Sequence, residues 1–160
     1  MSCAQPREFG PLDLAGIDRL AEAMWRHLPS HSVIGLVGTL GAGKTTLVQA
    51  IARAAGIDSA DVTSPTFTLV QTHRGTRTLH HLDAYRVSDE DEFLELGVEE
   101  LFEDESAWTL IEWADRVRHA LPEQTLWIEI IPIDQDRRSI RMTTMHPTIA
   151  QTLEQIANEF

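Results

Sequence analysis

The chain has 160 residues, 42% of them hydrophobic and 24% charged, and its 25 acidic against 13 basic side chains leave a formal charge of −12. That length suits one domain, 1–160, with a real core, and its apolar runs are only a few residues long, far short of a membrane span. So acidic a chain is a poor direct binder of RNA or DNA, since that affinity comes largely from neutralised phosphates, and Arg137-Arg138-Ser139-Ile140-Arg141 is the sole candidate basic patch.

Met1 to Arg7 lacks a basic region followed by an apolar one, so no secretory signal is expected. Cys3 is the one cysteine, which rules out an internal disulfide and suits a cytoplasmic protein. Leu12 to Leu28 carries apolar residues at helical spacing, with Asp13 as a plausible N-cap and Pro29 as the stop.

Val33 to Val37 is an apolar run leading into Gly38-Thr39-Leu40-Gly41-Ala42-Gly43-Lys44-Thr45-Thr46, and Leu47 onward has helical spacing up to Gly56. Strand, G-x-x-x-x-G-K-[ST], helix is the order of a phosphate-binding loop. Gly38 and Gly43 are expected to free the backbone so that successive N–H groups turn toward an anion. The following helix aims its positive end at the same place. Lys44 would meet the outer phosphates and Thr45 a Mg²⁺ ion. Lys44 is also the chain's only lysine; the other twelve basic residues are arginine. A compact ammonium suits a phosphate here where a guanidinium fork would not.

Val62 to Thr72 has the β-branched content of a strand after the Ser64-Pro65-Thr66 entry. His73 to Thr76 makes a turn, and Arg77 to Tyr85 reads as the hairpin partner. Thr66 lies where nucleotide switches place a threonine that senses the γ-phosphate, although Ser-Pro-Thr is also a common turn. His80 and His81 are adjacent, so on a strand they face opposite sides and cannot chelate one metal. Ser88 to Glu105 holds ten acidic residues in eighteen. Its apolar residues are spaced for one or two short helices broken near Gly97, with Ser88 as cap. The acidic face reads as solvated, with a docking surface for a basic partner as the alternative.

Trp108 to Trp113 is a short apolar strand ending in Glu112-Trp113, and Ala114 to Leu121 a short helix. Thr125 to Pro132 and Arg138 to Thr144 form a closing hairpin, and Pro147 opens a last helix, Ile149 to Phe160. Trp25 and Trp127 sit in amphipathic patterns as core residues. Together these elements predict an α/β fold: a single P-loop NTPase-like domain with a mixed, mostly parallel sheet, antiparallel hairpins and flanking helices. Asp83 and Glu112 both end predicted strands, where ligands of open α/β sheets bind. They are the candidate carboxylates for Mg²⁺ and for the attacking water.

The blocks Gly38 to Thr46, Ser64-Pro65-Thr66-Phe67-Thr68-Leu69-Val70, His81-Leu82-Asp83-Ala84-Tyr85-Arg86, Glu95-Leu96-Gly97 and Glu112-Trp113 resemble, in order and spacing, the TsaE (YjeE) family. These are small bacterial ATPases needed for the threonylcarbamoyladenosine modification of tRNA. The resemblance implies that Gly38, Leu40, Gly41, Ala42, Gly43, Lys44, Thr45 and Thr46 hold the phosphates of ATP, with Thr45 on Mg²⁺. It further implies that Asp83 is required for hydrolysis, that Glu112 is associated with Mg²⁺ beside a functionally sensitive Trp113, and that Thr66 belongs to a switch-like loop. The implied partners are TsaB and TsaD, whose complex hydrolysis would reset; tRNA would be met only indirectly, and DNA and membranes not at all. Phe67 and Ala84 are ordinary variants of the family's aromatic and small positions. Two other readings stand beside this one: a small-molecule kinase, disfavoured because the longest insertion is acidic rather than an Arg-rich lid, and a nucleotide-gated binding module. A GTPase is disfavoured because a single lysine at 44 leaves no Asn-Lys-x-Asp sequence.

Overall fold

Strands buried on both faces alternate along the chain with amphipathic helices, an architecture that a computed structural model describes for residues 5–64 and 69–160. In chain order the elements are β1 (Arg7–Leu12), α1 (Leu14–His27), β2 (Ser32–Val37), α2 (Lys44–Ala54), β3 (Val70–Arg74), β4 (Thr78–Asp83), α3 (Glu90–Leu94), α4 (Val98–Phe102), β5 (Ala107–Glu112), β6 (Leu126–Pro132), β7 (Arg138–Thr144) and α5 (Pro147–Ala157). The strands form one sheet ordered β1-β7-β6-β2-β5-β4-β3. Its middle, from β6 to β4, is parallel, and β3 on one side and β7 and β1 on the other add antiparallel edges. This is the single mixed α/β domain that the alternation of strands and helices predicts.

β2 is apolar and buried along nearly its whole length, as a central parallel strand must be when both faces are covered. Ile34 and Leu36 face the larger core, shared with α1, α2 and α5. Val33 and Ile111 face the opposite side, where Phe93, Val98, Phe102 and Val117 pack. α1 starts as its sequence demands: the Asp13 carboxylate accepts the Gly16 N–H at 2.8 Å. Trp25 and Trp127 are partly buried against the two cores, and Trp108 is fully buried and donates its Nε1–H to the Pro29 carbonyl. Among the described residues, no helix is long and apolar enough to cross a membrane.

Four local expectations change. β1 was not foreseen; it is an edge strand with an irregular register at Gly10-Pro11, and only Phe9 and Leu12 turn inward. The strand expected from Val62 begins only at Val70: Val62 closes a 3₁₀ turn over Ser59–Asp61, and Pro65 to Thr68 lie outside the described residues. The acidic segment does form two short helices divided at Gly97, but the cap is Asp89, which accepts the Glu92 N–H at 2.8 Å. Glu92 in turn accepts from the N–H and hydroxyl of Ser88, a reciprocal arrangement that satisfies both ends of the first turn. Ala114–Ala120 is 3₁₀ with a kink at Val117 rather than a regular helix.

Gly75, in the turn between β3 and β4, lets two chain segments touch. A Cβ there would lie inside contact distance of the Ala55 carbonyl oxygen and 2.8 Å from Ile57 Cγ1. Backbone cannot retreat as a flexible side chain can, so Gly75→Ala is expected to lower stability by about 1–3 kcal/mol. Denaturant unfolding of the two proteins measures it; an unchanged midpoint would contradict the packing described.

Candidate functional site

The loop after β2 turns on glycines, but not all for the same reason. Gly41 and Gly43 have φ of +77° and +112°, a region that a Cβ disfavours. Gly38 does not share that conformation. Its Cβ would meet the Ile130 carbonyl oxygen at 2.9 Å and Ala42 Cβ at 3.0 Å, so Gly38 serves close approach to β6. α2 then begins at Lys44 with no side chain capping its first N–H groups, which leaves the positive end of the helix open to an anion. Arg138, on β7, braces the loop by donating its Nε–H to the Ala42 carbonyl at 2.7 Å.

Lys44 is only 4% exposed. Its ammonium donates to the carbonyls of Gly38 at 2.7 Å and Thr39 at 2.9 Å and lies 4.0 Å from the centre of the Trp113 ring. Burial pulls the Lys44 pKa below the usual lysine range, opposed by Glu112, Asp115 and Asp83. An arriving phosphate favours the charged form.

The two candidate carboxylates stand side by side. Asp83 ends β4, Glu112 ends β5, and they are partners in the parallel register. They are 2% and 3% exposed. Asp83 is fixed by the Ser64 hydroxyl at 2.9 Å and by the Tyr85 N–H at 2.8 Å. Glu112 accepts the Thr45 hydroxyl at 2.8 and 2.9 Å through its two oxygens, and His81 Nε2 stands 2.6 Å from Oε2. This joins the phosphate loop, through Thr45, to the strand end that carries Glu112.

Trp113 takes a left-handed backbone, φ +59°, sparsely populated for so bulky a residue. This turns its ring over Lys44, with the Tyr85 ring 4.9 Å away and the Arg116 guanidinium 5.1 Å from Tyr85. The result is an open cleft of about 520 Å³ bounded by the loop, Ser64, Asp83, Tyr85, Glu112 and Trp113. On the other side of Gly43 and Thr46 is a cavity of about 340 Å³, walled by Leu12, Ile17, Ile130, Ile140 and Arg138.

The structure thus brings together Gly41, Gly43, Lys44, Thr45, Thr46, Asp83, Glu112 and Trp113. Leu40 is exposed at the mouth of the cleft, and Ala42 is buried beneath the loop. Thr66 lies outside the described residues. The basic stretch is not a free patch: Arg137 pairs with Asp134 at 2.7 Å, and Arg141 pairs with Glu8 at 2.8 Å and Glu129 at 3.5 Å. His81, set aside on sequence grounds as a metal ligand, is the residue that sequence reasoning missed. The available signal was its spacing: two positions before Asp83 on a strand, it shares that residue's face.

Oxygen donors from a hydroxyl and two carboxylates suit a hard cation such as Mg²⁺. Among the described residues no three His, Cys, Asp or Glu side chains group as a self-sufficient cage, which is ordinary for an ion that shares its shell with phosphates and water.

The family model for the threonylcarbamoyl adenosine biosynthesis protein TsaE matches residues 13–140. The chain belongs to the TsaE family. The match contains the loop, Asp83, Glu112 and Trp113 together. Similar relatives include the tRNA threonylcarbamoyladenosine biosynthesis protein TsaE of Treponema pallidum, 37% identical over 76% of this chain and 89% of that one. That of Bacillus subtilis is 36% identical over 87% of this chain and 84% of the relative. Among solved structures, Bacillus subtilis YdiB superposes with a TM-score of 0.79 at 26% identity, covering 99% of this chain and 98% of the other.

Proposed function

We propose that this TsaE-family chain is a Mg²⁺-dependent ATPase of the cytoplasm that serves threonylcarbamoyl modification of the tRNA adenosine beside the anticodon, by binding and resetting a TsaB–TsaD complex. The observation that carries the ATPase reading is the hydrogen bond from Thr45 to Glu112 beside Asp83. It gathers loop, hydroxyl and carboxylates at one end of the sheet. The phosphates would lie against the open N–H groups of α2, met by Lys44, and the cavity of about 340 Å³ beyond Gly43, lined by both aliphatic and polar side chains, would take the base and ribose.

Glu112 and Asp83 would divide the work. Glu112, bonded to Thr45, is the carboxylate for the metal side; bound Mg²⁺ would supply charge neutralisation across the phosphates. Asp83, held by Ser64 and Tyr85, would accept a proton from the attacking water and orient it. A net charge of −12 fits a protein that docks on its enzyme and leaves the grip on tRNA to it. The kinase alternative gains nothing from Arg116, which is exposed and stacks on the ring of Tyr85.

A reconstituted modification reaction tests the pathway role. With TsaB, TsaD, tRNA and the activated threonylcarbamoyl donor, adding this chain with MgATP is expected to raise threonylcarbamoyladenosine yield over many turnovers. An equal yield without it would overturn the resetting role.

A further inference from the structure

The geometry points to His81 as a positioning residue for the Mg²⁺ side of the site, holding the Glu112 carboxylate in the orientation that it presents to Thr45. The inference rests on the nucleotide reading above and adds to it a residue outside the phosphate loop, on β4.

β4 and β5 run parallel with His81 opposite Leu110 and Asp83 opposite Glu112. His81 and Asp83 therefore share the face toward α2, and His81 reaches Glu112 diagonally across the two strands. The ring is 0% exposed, and its Nε2 lies 2.6 Å from Glu112 Oε2. A carboxylate only accepts, so the hydrogen sits on Nε2 and is donated to Oε2. Nδ1 has no hydrogen-bond partner among the described residues. The imidazole thus gives its one hydrogen bond to Glu112 and leaves its other nitrogen buried and unmatched. A leucine of similar size would fill the same space without that cost. What the histidine supplies that a leucine cannot is a directed donor at Oε2.

Its neighbour provides an internal contrast. His80 faces the other side of the sheet and bridges the Thr72 hydroxyl and Asp104, both outside the cleft. Glu112 is held on one side by a mobile hydroxyl that a metal would draw upon, and on the other by a ring fixed in the core. With Thr45 committed to a cation, His81 would be the contact that keeps the carboxylate from rotating. Groups that orient ligating carboxylates in this way shift metal affinity by roughly 10–100-fold when removed.

The test is the gain in ADP affinity on adding Mg²⁺, measured by titration calorimetry on the full chain, with thermal unfolding recorded for each variant. His81→Leu is expected to lose about tenfold of that gain while metal-free ADP affinity stays at the parent value. His81→Gln, whose amide nitrogen reaches the Nε2 position, is expected to restore it. His81→Asn, one methylene shorter, is expected not to, and the Gln and Asn pair carries the comparison if His81→Leu does not fold. A parental Mg²⁺ gain in all variants would overturn the proposal. So would failure of Gln to restore it, or equal losses with and without metal, which would mark a purely structural histidine. A parent protein with no Mg²⁺ gain at all would instead overturn the metal reading itself, and the role of His81 with it.

Discussion

Lys44→Ala is expected to lower ATP affinity by about 10- to 100-fold, the largest single effect on binding in the chain. A charge-assisted hydrogen bond to an ionised partner contributes about 1.5–3 kcal/mol, and this ammonium is the only lysine available for the outer phosphates. The variant should fold, because the ammonium now bonds two loop carbonyls, at 2.7 and 2.9 Å, rather than a core group. Lys44→Arg is expected to fail as well. The planar guanidinium is larger than the space beneath Trp113, whose ring centre is 4.0 Å from Nζ, and it does not present a point charge. Titration with ATP measures both, and parental affinity in Lys44→Ala would remove the whole site assignment.

Asp83→Asn and Glu112→Gln are expected to reduce ATP turnover by about 10²–10⁴-fold while leaving metal-free ADP binding largely intact. The two should differ in kind. Asp83→Asn keeps an oxygen for the Tyr85 N–H and turns its amide N–H toward the Ser64 hydroxyl oxygen, but it loses the base, so its Mg²⁺ requirement should match the parent's. Glu112→Gln weakens the acceptor shared by Thr45 and His81, so it should also demand more Mg²⁺. Isosteric amides are the sharper probes. Glu112→Ala would strand the buried His81 N–H, at about 1–3 kcal/mol, release the half-buried Thr45 hydroxyl, and mix instability with chemistry. Steady-state turnover across a Mg²⁺ series separates the cases, and identical Mg²⁺ dependence in the two variants would contradict the division of roles.

The parts of the site that were legible in sequence are those fixed over short range. A loop between an apolar strand and a helix announces itself through its glycines and lysine, and both carboxylates sit at the ends of strands whose composition is plain. The family resemblance, now matched over residues 13–140, ties these blocks together. What was not legible depends on neighbours distant in the chain. The period-two rule placed His81 on the face of Asp83, but nothing in the sequence gives the register that brings it to Glu112. Gly38 looks like a residue chosen for its dihedral freedom, and only the approach of Ile130 shows that it is chosen for lack of bulk. β1 is hidden because Gly10 and Pro11 interrupt its alternation, and a strand at the sheet edge tolerates a residue without an N–H.

The proposed role has Asp83 and the loop hydrolyse ATP on behalf of partner proteins. Phosphate release from MgATP, measured with the full chain alone and with TsaB and TsaD, tests it most directly when Asp83→Asn is run in parallel. Slow release is expected from the parent alone and faster release with the partners, with ADP and inorganic phosphate as the products and loss of both rates in Asp83→Asn. Recovery of the γ-phosphate on a metabolite, or release by Asp83→Asn as fast as by the parent, would contradict it.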